Sequence, residues 1–284
     1  MILPRVLTSL VMAPLFLWAL YLGGVPFSLL MFFLILLAVW EFHQLAEAGG
    51  YATQSWWGVA AGMGITLSLV FPGVRPSQPF AAQAPAFAQM TMVLVLVLRE
   101  MARADKSLSM LRLGMSALQV LLIAWPLGHF ILLRDLRGTS GPALFQIGRD
   151  SAFFLVILLW VQDTAAWAAG SILGQNRLAP VISPKKSWEG SLVGLLAAVV
   201  TAIVLREAWL KPYFSRPEII VLAVALGALA QISDLTESLL KRCLGAKDSS
   251  SLLPGHGGIL DRFDSFIFST PFLYFYLIVT GRGS

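Results

Sequence analysis

The sequence predicts an all-α, polytopic integral membrane bundle of about nine transmembrane helices. Hydrophobic residues make up 57% of the 284 positions and charged residues only 12%, and the mean hydropathy is +0.78. A soluble domain usually has about 25% charged residues. Lipid must therefore be the solvent for most of this chain. The apolar stretches are also too long for the strands of a membrane barrel, which need about ten alternating residues.

Hydropathy divides the chain into nine predicted helices within a single membrane domain, 1–284. The N-terminal helices lie in 1–150, and the helices and loops of the candidate site lie in 151–284. We predict helices at 4–22, 25–46, 56–71, 87–103, 111–133, 151–173, 189–210, 218–241 and 263–281. The four prolines of 72–87 predict an exposed loop, and 134–150 is a second predicted loop.

The distribution of Lys and Arg predicts the orientation of the chain. Twelve of these cations lie on the side of the N-terminus and eight on the other. Positive loops favour the cytoplasm, so we place the N-terminus and the segments 174–188 and 241–262 in the cytoplasm, and the C-terminus outside. The net charge of +5 is assigned to contact with anionic membrane lipid. No basic stripe interleaved with aromatic residues indicates nucleic-acid binding.

Acidic residues near the predicted cytoplasmic face are costly in a bilayer, by about 2.5–3.5 kcal/mol for an aspartate at its centre. Asp163 is either a polar contact between helices or part of a water-filled cavity. Asp234, Ser238 and Lys241 share one stripe of a helix, because they are spaced i, i+4 and i+7. That stripe is either an internally paired polar face or one wall of a site.

The segment 247–265 combines glycines, a proline and acids. Pro254 and the glycines around His256 prevent a regular helix and let the backbone approach a ligand. Asp261 and Asp264 follow at the start of the last helix, where aspartates also favour a helix N-terminus. Together with Asp234, they are the oxygen ligands that Mg²⁺ prefers.

Two lysines, Lys185 and Lys186, precede a helix predicted to start near Ser187. Cations beside a helix N-terminus form an anion site, although they also anchor a cytoplasmic loop. Acids suited to a metal and cations suited to phosphates on one face indicate phosphoryl or nucleotidyl transfer, in which positioning and charge neutralisation dominate catalysis.

The run 238–264 resembles the signature of the CDP-diacylglycerol synthase (phosphatidate cytidylyltransferase) family. The matching positions are Ser238, Lys241, Arg242, Lys247, Asp248, Pro254, His256, Gly257, Gly258, Asp261, Arg262 and Asp264. The segments 163–180 and 182–190 are similar to family segments, and 40–47 is weakly similar. Ser233 and Ser187 depart from the pattern, which often has glycine and threonine there.

The resemblance implies that CTP and phosphatidate react to give CDP-diacylglycerol and pyrophosphate at the cytoplasmic membrane. It implies Mg²⁺, with a monovalent cation such as K⁺ beside it, and a homodimer. The implied metal ligands are Asp234 and Asp261, supported by Asp264 and Asp248. The implied phosphate contacts are Lys241, Arg242, Lys247, Arg262, Ser183, Lys185 and Lys186, with Ser238 and Asp163 in the same cavity. His256 has either a proton-handling role or a role in shaping the turn.

Two alternatives stay open on sequence alone. A CTP-dependent kinase of a polyprenol or similar lipid alcohol would release CDP instead of pyrophosphate. An ion-coupled transporter would use the buried acids to bind its coupling ions. Such transporters tend to have internal repeats, and the polar elements of this chain cluster instead at one predicted face.

Overall fold

The computed structural model describes residues 3–54, 56–74, 79–138, 146–250, 252 and 257–283. Its helices are α1 Leu3–Leu22, α2 Gly24–Ala48, α3 Trp56–Val74, α4 Pro79–Met101, α5 Ser109–Gln119, α6 Trp125–Asp135, α7 Ile147–Leu173, α8 Trp188–Leu205, α9 Arg216–Cys243, α10 Leu260–Phe263 and α11 Phe266–Val279. Two strands, β1 Arg177–Ala179 and β2 Ser183–Ser187, lie between α7 and α8. The predicted all-α class is confirmed, with one short hairpin that the sequence did not predict.

Among the described residues, six helical stretches are long and apolar enough to cross a membrane: Gly24–Ala48, Gln83–Met101, Ser109–Asp135, Ile147–Leu173, Trp188–Leu210 and Arg216–Cys243. Shorter apolar helices cover Leu10–Leu22, Trp56–Val70 and Phe266–Val279. Large apolar side chains on these helices are exposed, among them Trp18 at 62% and Leu196 at 63%. Such exposure suits lipid as the solvent, so the chain is a multi-pass membrane protein. The count of nine spans stays a prediction.

Several predicted boundaries were wrong. Most of the predicted loop 72–87 is helical, because α3 continues to Val74 and α4 begins at Pro79. Proline is tolerated in a first helical turn, and the alanines around Pro85 are strong helix formers. Residues 139–145 of the second predicted loop lie outside the described part of the chain. The last predicted helix is interrupted, since α10 ends at Phe263 and α11 begins at Phe266.

The described residues fall into two compact units. The first spans Met1–Leu132 and Lys241–Phe263, and the second spans Leu133–Leu240 and Asp264–Ser284. The boundary therefore passes through α9 and between α10 and α11. The predicted single domain remains a prediction, and each unit is described by itself below.

The first unit has an aromatic core. Phe16 packs edge-on against Phe27, Phe130 and Phe263, with ring centroids 5.7–6.1 Å apart. A second apolar cluster is formed by Ile65, Leu69, Met92, Leu96 and Val120. Because Phe263 ends α10, the core fixes the end of the signature segment.

The second unit depends on close packing of α7 against α8. A Cβ atom at Gly190 would lie 2.6 Å from the carbonyl oxygen of Ala166, and one at Gly194 would lie 2.8 Å from the Ala166 Cβ. Glycine is required at both positions because it lets the helix backbones approach. This packing holds the β1–β2 hairpin, which joins the two helices, at the end of the pair.

Candidate active site

Three acidic side chains of the second unit act on a fourth, Asp264. Asp264 lies in the turn between α10 and α11, and its pKa is raised well above its usual value. Burial is the main cause, followed by the negative charges of Asp234, Glu237 and Asp163. Crowded carboxylates of this kind are a common feature of cation sites and of catalytic centres.

Ser265 connects two of these acids. Its hydroxyl lies 3.2 Å from Asp163 Oδ2 and 3.3 Å from Asp264 Oδ1, and its backbone N–H donates to the same Asp264 oxygen at 2.6 Å. Asp163 therefore makes a polar contact with the segment that starts α11. This agrees with the helix-contact interpretation of Asp163, and its place in a cavity stays a prediction.

Ser233, where the family often has glycine, stabilises the turn between α10 and α11 by hydrogen bonds. Its hydroxyl donates to the Asp264 carbonyl oxygen and accepts from the Phe268 N–H at 3.3 Å. Ser233 is fully buried on α9. One serine thus binds both sides of the break before α11 and fixes the backbone that carries Asp264.

The hairpin brings Lys186 to Asp234, and the two form an ion pair. Lys186 and Asp234 are each a little under one-third exposed, whereas the neighbouring Lys185 is exposed. Ser187 is the N-cap of α8, because its hydroxyl accepts from the Gly190 N–H at 3.2 Å. The predicted helix start near Ser187 is confirmed. Ser183, at the start of β2, is partly buried.

In the first unit, Asp261 is surrounded by donors. Lys241, in the last turn of α9, donates to Oδ1 at 2.6 Å. Oδ2 accepts from the Ser249 N–H and hydroxyl, both at 3.0 Å, and from the Gly258 N–H at 2.8 Å. Burial opposes ionisation of Asp261, but these hydrogen bonds outweigh it and lower its pKa.

Gly257 has a backbone geometry that glycine favours, with φ +77°. A Cβ atom there would also lie 2.5 Å from Asp261 Oδ2. A side chain at this position would be strained and would displace the Asp261 carboxylate. The backbone conformation and the close approach of Asp261 therefore explain the first glycine of the signature, Gly257.

Of the remaining predicted site residues, four are exposed, one is buried and one lies outside the described part of the chain. Arg242, Lys247, Asp248 and Arg262 are exposed, and Arg242 donates to the Ala246 carbonyl oxygen at 2.9 Å. Ser238 is buried on α9. His256 lies outside the described residues, so its two proposed roles stay open.

The predicted acidic ligands are divided between the two units. Asp234, Asp264 and Asp163 belong to the second unit, and Asp261 and Asp248 belong to the first. Among the described residues, no group of three or more His, Cys, Asp or Glu side chains is gathered closely enough to hold a metal ion. The donor chemistry still fits Mg²⁺, because the crowded charges around Asp264 are carboxylate oxygens that a cation would stabilise.

The sequence analysis missed two buried acids, Glu41 and Glu237. Glu41 lies in α2 and is only 4% exposed, and Glu237 lies in α9 and is 1% exposed. Glu41 accepts hydrogen bonds from the segment 249–260 of the same unit. The available signal was an acid inside a strongly apolar helix, within the weakly similar segment 40–47.

Comparison with known proteins decides the family. Residues 3–280 match the model of the cytidylyltransferase family. The chain belongs to the cytidylyltransferase family. It is 32% identical over 278 residues to a phosphatidate cytidylyltransferase of Bacillus subtilis, with 96% of each chain covered.

Two further relatives of the same name agree with this assignment. The protein from Brucella suis is 30% identical over 276 residues, covering 96% of this chain and 92% of that one. The protein from Haemophilus influenzae is 44% identical over 130 residues, covering 44% of this chain and 45% of that one. The resemblance first seen in the run 238–264 therefore extends over nearly the whole chain.

Proposed function

We propose that this protein is a phosphatidate cytidylyltransferase, which converts CTP and phosphatidate to CDP-diacylglycerol and pyrophosphate in phospholipid biosynthesis. The family membership over residues 3–280 is the observation on which the proposal rests. The full-length relatives from Bacillus subtilis and Brucella suis bear that enzyme name. Each unit by itself contains acids and cations of the kind that anionic substrates require.

The reaction needs no protein nucleophile. An oxygen of the lipid phosphate attacks the α-phosphorus of CTP, and a new phosphorus–oxygen bond forms there. The bond from the α-phosphorus to the bridging oxygen of the β-phosphate breaks, and pyrophosphate leaves. Both reactants are anionic, so the protein accelerates the step mainly by positioning them and neutralising their charge.

Cations of the chain would neutralise the phosphates. Lys186 and Lys241 are each fixed by a carboxylate, Asp234 and Asp261 respectively. A lysine held in this way is placed in advance and loses little side-chain entropy on meeting a phosphate. By resemblance, the further phosphate contacts are Lys185, Arg242, Lys247, Arg262 and Ser183.

Magnesium would be held by carboxylates, with Asp234 and Asp264 as ligands in the second unit. When bound, the ion supplies charge neutralisation at the phosphates. Burial and the negative charges of the neighbouring acids raise the pKa of Asp264, and the need for a compensating cation there supports this assignment. Asp261 and Asp248 are proposed ligands on the resemblance alone, as is a K⁺ ion beside the magnesium. The homodimer is likewise proposed on the resemblance.

The decisive experiment uses purified protein in detergent with phosphatidate, a polyprenol, Mg²⁺ and CTP labelled at either the α- or the γ-phosphate. A cytidylyltransferase transfers the α-label to lipid and releases the γ-label as pyrophosphate. A lipid kinase would instead transfer the γ-label to lipid and leave the α-label in CDP. Absence of lipid label from either substrate would contradict both enzyme classes.

We further propose a bacterial cytoplasmic membrane location, with the N-terminus and the site loops in the cytoplasm. Cys243 is the only cysteine of the chain and is exposed at the end of α9. A membrane-impermeant maleimide should label Cys243 in inside-out vesicles and leave it unlabelled in right-side-out vesicles. The reverse pattern would contradict the proposed orientation.

A further inference from the structure

The buried carboxylate of Glu41 accepts hydrogen bonds from four donor groups of the described residues. Oε1 accepts from the Ser250 hydroxyl at 2.6 Å and from the Ile259 N–H at 2.9 Å. Oε2 accepts from the Leu260 N–H at 2.9 Å and from the Ser249 hydroxyl at 3.2 Å. One carboxylate on α2 thus holds both ends of the segment 249–260, whose donors lie more than 200 positions later in the chain.

Ser249 links Glu41 to Asp261. The Ser249 hydroxyl lies 3.2 Å from Glu41 Oε2 and 3.0 Å from Asp261 Oδ2. A hydroxyl has a single proton, so it donates to one of these carboxylates at a time. The Ser249 N–H meanwhile donates to Asp261 at 3.0 Å. Movement of Ser249 relative to Glu41 therefore changes the surroundings of Asp261.

Gly258 shows how closely the two carboxylates are packed around this segment. A Cβ atom at Gly258 would lie 2.4 Å from Glu41 Oε2 and 2.0 Å from the Ser249 hydroxyl. The Gly258 N–H points instead to Asp261 Oδ2 at 2.8 Å. The second glycine of the signature is thus required by the approach of both Ser249 and Glu41, and Glu41 lies outside that signature.

We propose that Glu41 is a positioning residue for cytidylyl transfer. It fixes residues 249–250 and 259–260 so that Asp261 and Lys241 keep the geometry that the reaction needs. Glu41 acts through Ser249 and the backbone N–H groups of Ile259 and Leu260. The inference rests on the proposed function in so far as Asp261 takes part in that reaction.

The first arm of the test measures turnover in Glu41→Gln, with Glu47→Gln as the matched control. Glu47 lies on the same helix, is 55% exposed and pairs with His43 at 3.6 Å. An amide at position 41 keeps one acceptor oxygen and sets an N–H₂ group against donors. A displacement of about 1 Å can cost about 100-fold in rate. We expect kcat to fall by about that factor, with KM for both substrates within about threefold of the wild type.

The second arm needs no substrate. Amide hydrogen exchange of the segment 257–263 should be at least about tenfold faster in Glu41→Gln than in Glu47→Gln. Unchanged exchange would overturn the proposal, as would faster exchange with a wild-type kcat. A wild-type enzyme that forms no CDP-diacylglycerol would refute the proposed function, and the exchange would still decide whether Glu41 orders the segment.

A pair of serine variants provides the test if Glu41→Gln does not fold. Ser249→Ala removes the hydroxyl shared by Glu41 and Asp261, whereas Ser250→Ala removes a hydroxyl that donates to Glu41. We expect Ser249→Ala to lower kcat at least about tenfold more than Ser250→Ala. Equal effects of the two variants would contradict the link through Ser249.

Discussion

The two units place their acidic side chains in opposite electrostatic surroundings. In the first, Asp261 accepts hydrogen bonds from Lys241, Ser249 and Gly258, and its pKa is lowered. In the second, Asp264 is surrounded by other acids, and its pKa is raised. The first environment favours an anion, whereas in the second the pKa of Asp264 stays raised although Lys186 pairs with the neighbouring Asp234. On the proposal of a magnesium site, a bound cation would therefore contribute most in the second unit.

The largest expected effect comes from Asp261→Asn. The variant removes the charge that holds Lys241, and it replaces one of two oxygens that together accept from four donor groups with an N–H₂ group. We expect formation of CDP-diacylglycerol to fall by at least about 1,000-fold, as for loss of a group that organises transition-state charge. Retained size-exclusion behaviour in detergent is the control, and wild-type turnover would remove Asp261 from the site.

A smaller loss is expected when Lys186 is replaced by methionine. The variant leaves Asp234 without its ion-pair partner and removes a fixed cation from the hairpin. We expect kcat/KM for CTP to fall about 100-fold, or about 2.7 kcal/mol. Lys185→Met is the matched variant, because Lys185 is the exposed neighbour on the same strand. A larger loss for Lys185→Met would reverse the assigned roles.

The Asp264→Asn variant tests whether the ionised Asp264 carboxylate destabilises the fold. A raised pKa means that the fold favours the protonated acid, so ionisation of Asp264 at neutral pH destabilises the fold. Without divalent cations, we expect the variant to melt about 2–4 °C higher than the wild type, for a gain of about 1 kcal/mol.

Magnesium is expected to change the melting temperatures of the wild type and of Asp264→Asn by different amounts. The ion should raise the melting temperature of the wild type, since it binds the native state. Magnesium should raise the melting temperature of Asp264→Asn much less. Thermal unfolding in EDTA and in millimolar Mg²⁺ measures both differences. A variant that is less stable in EDTA would show that Asp264 is not under repulsion.

At Ser233 the expected effect is confined to stability. Ser233→Gly, which introduces the residue common in the family, removes two hydrogen bonds and adds a glycine to α9. Each change costs about 1 kcal/mol, so the melting temperature should fall by several degrees. Ser233→Ala separates the hydrogen bonds from the backbone effect. Equal melting temperatures for Ser233→Gly and the wild type would contradict this account.

Much of the fold could be predicted because hydropathy is a local property. The predicted spans 25–46 and 218–241 lie within α2 and α9, with ends two or fewer residues away. The segment 79–87 could not be predicted, because alanine-rich helix and proline-rich loop have conflicting signals there. The β1–β2 hairpin is too short to produce a periodic pattern.

The candidate site was predictable in its residue types and only partly in its contacts. Spacing identified Asp234, Lys241 and Asp261 as members of a charged site. It did not show that Lys186 pairs with Asp234, since 48 positions separate them. Glu41 was harder still, because its partners lie more than 200 positions away and no local pattern links them.

The hydrogen bonds of Glu41 also bear on how the protein is made. Ribosomes add about 5–20 residues per second, so Ser249 emerges about 10–40 s after Glu41. During that interval an acidic side chain sits in a newly inserted apolar helix, where it is costly in lipid. The N-terminal helices are therefore incompletely stabilised until the last part of the chain has been synthesised. Biogenesis of this enzyme is expected to depend on its full length.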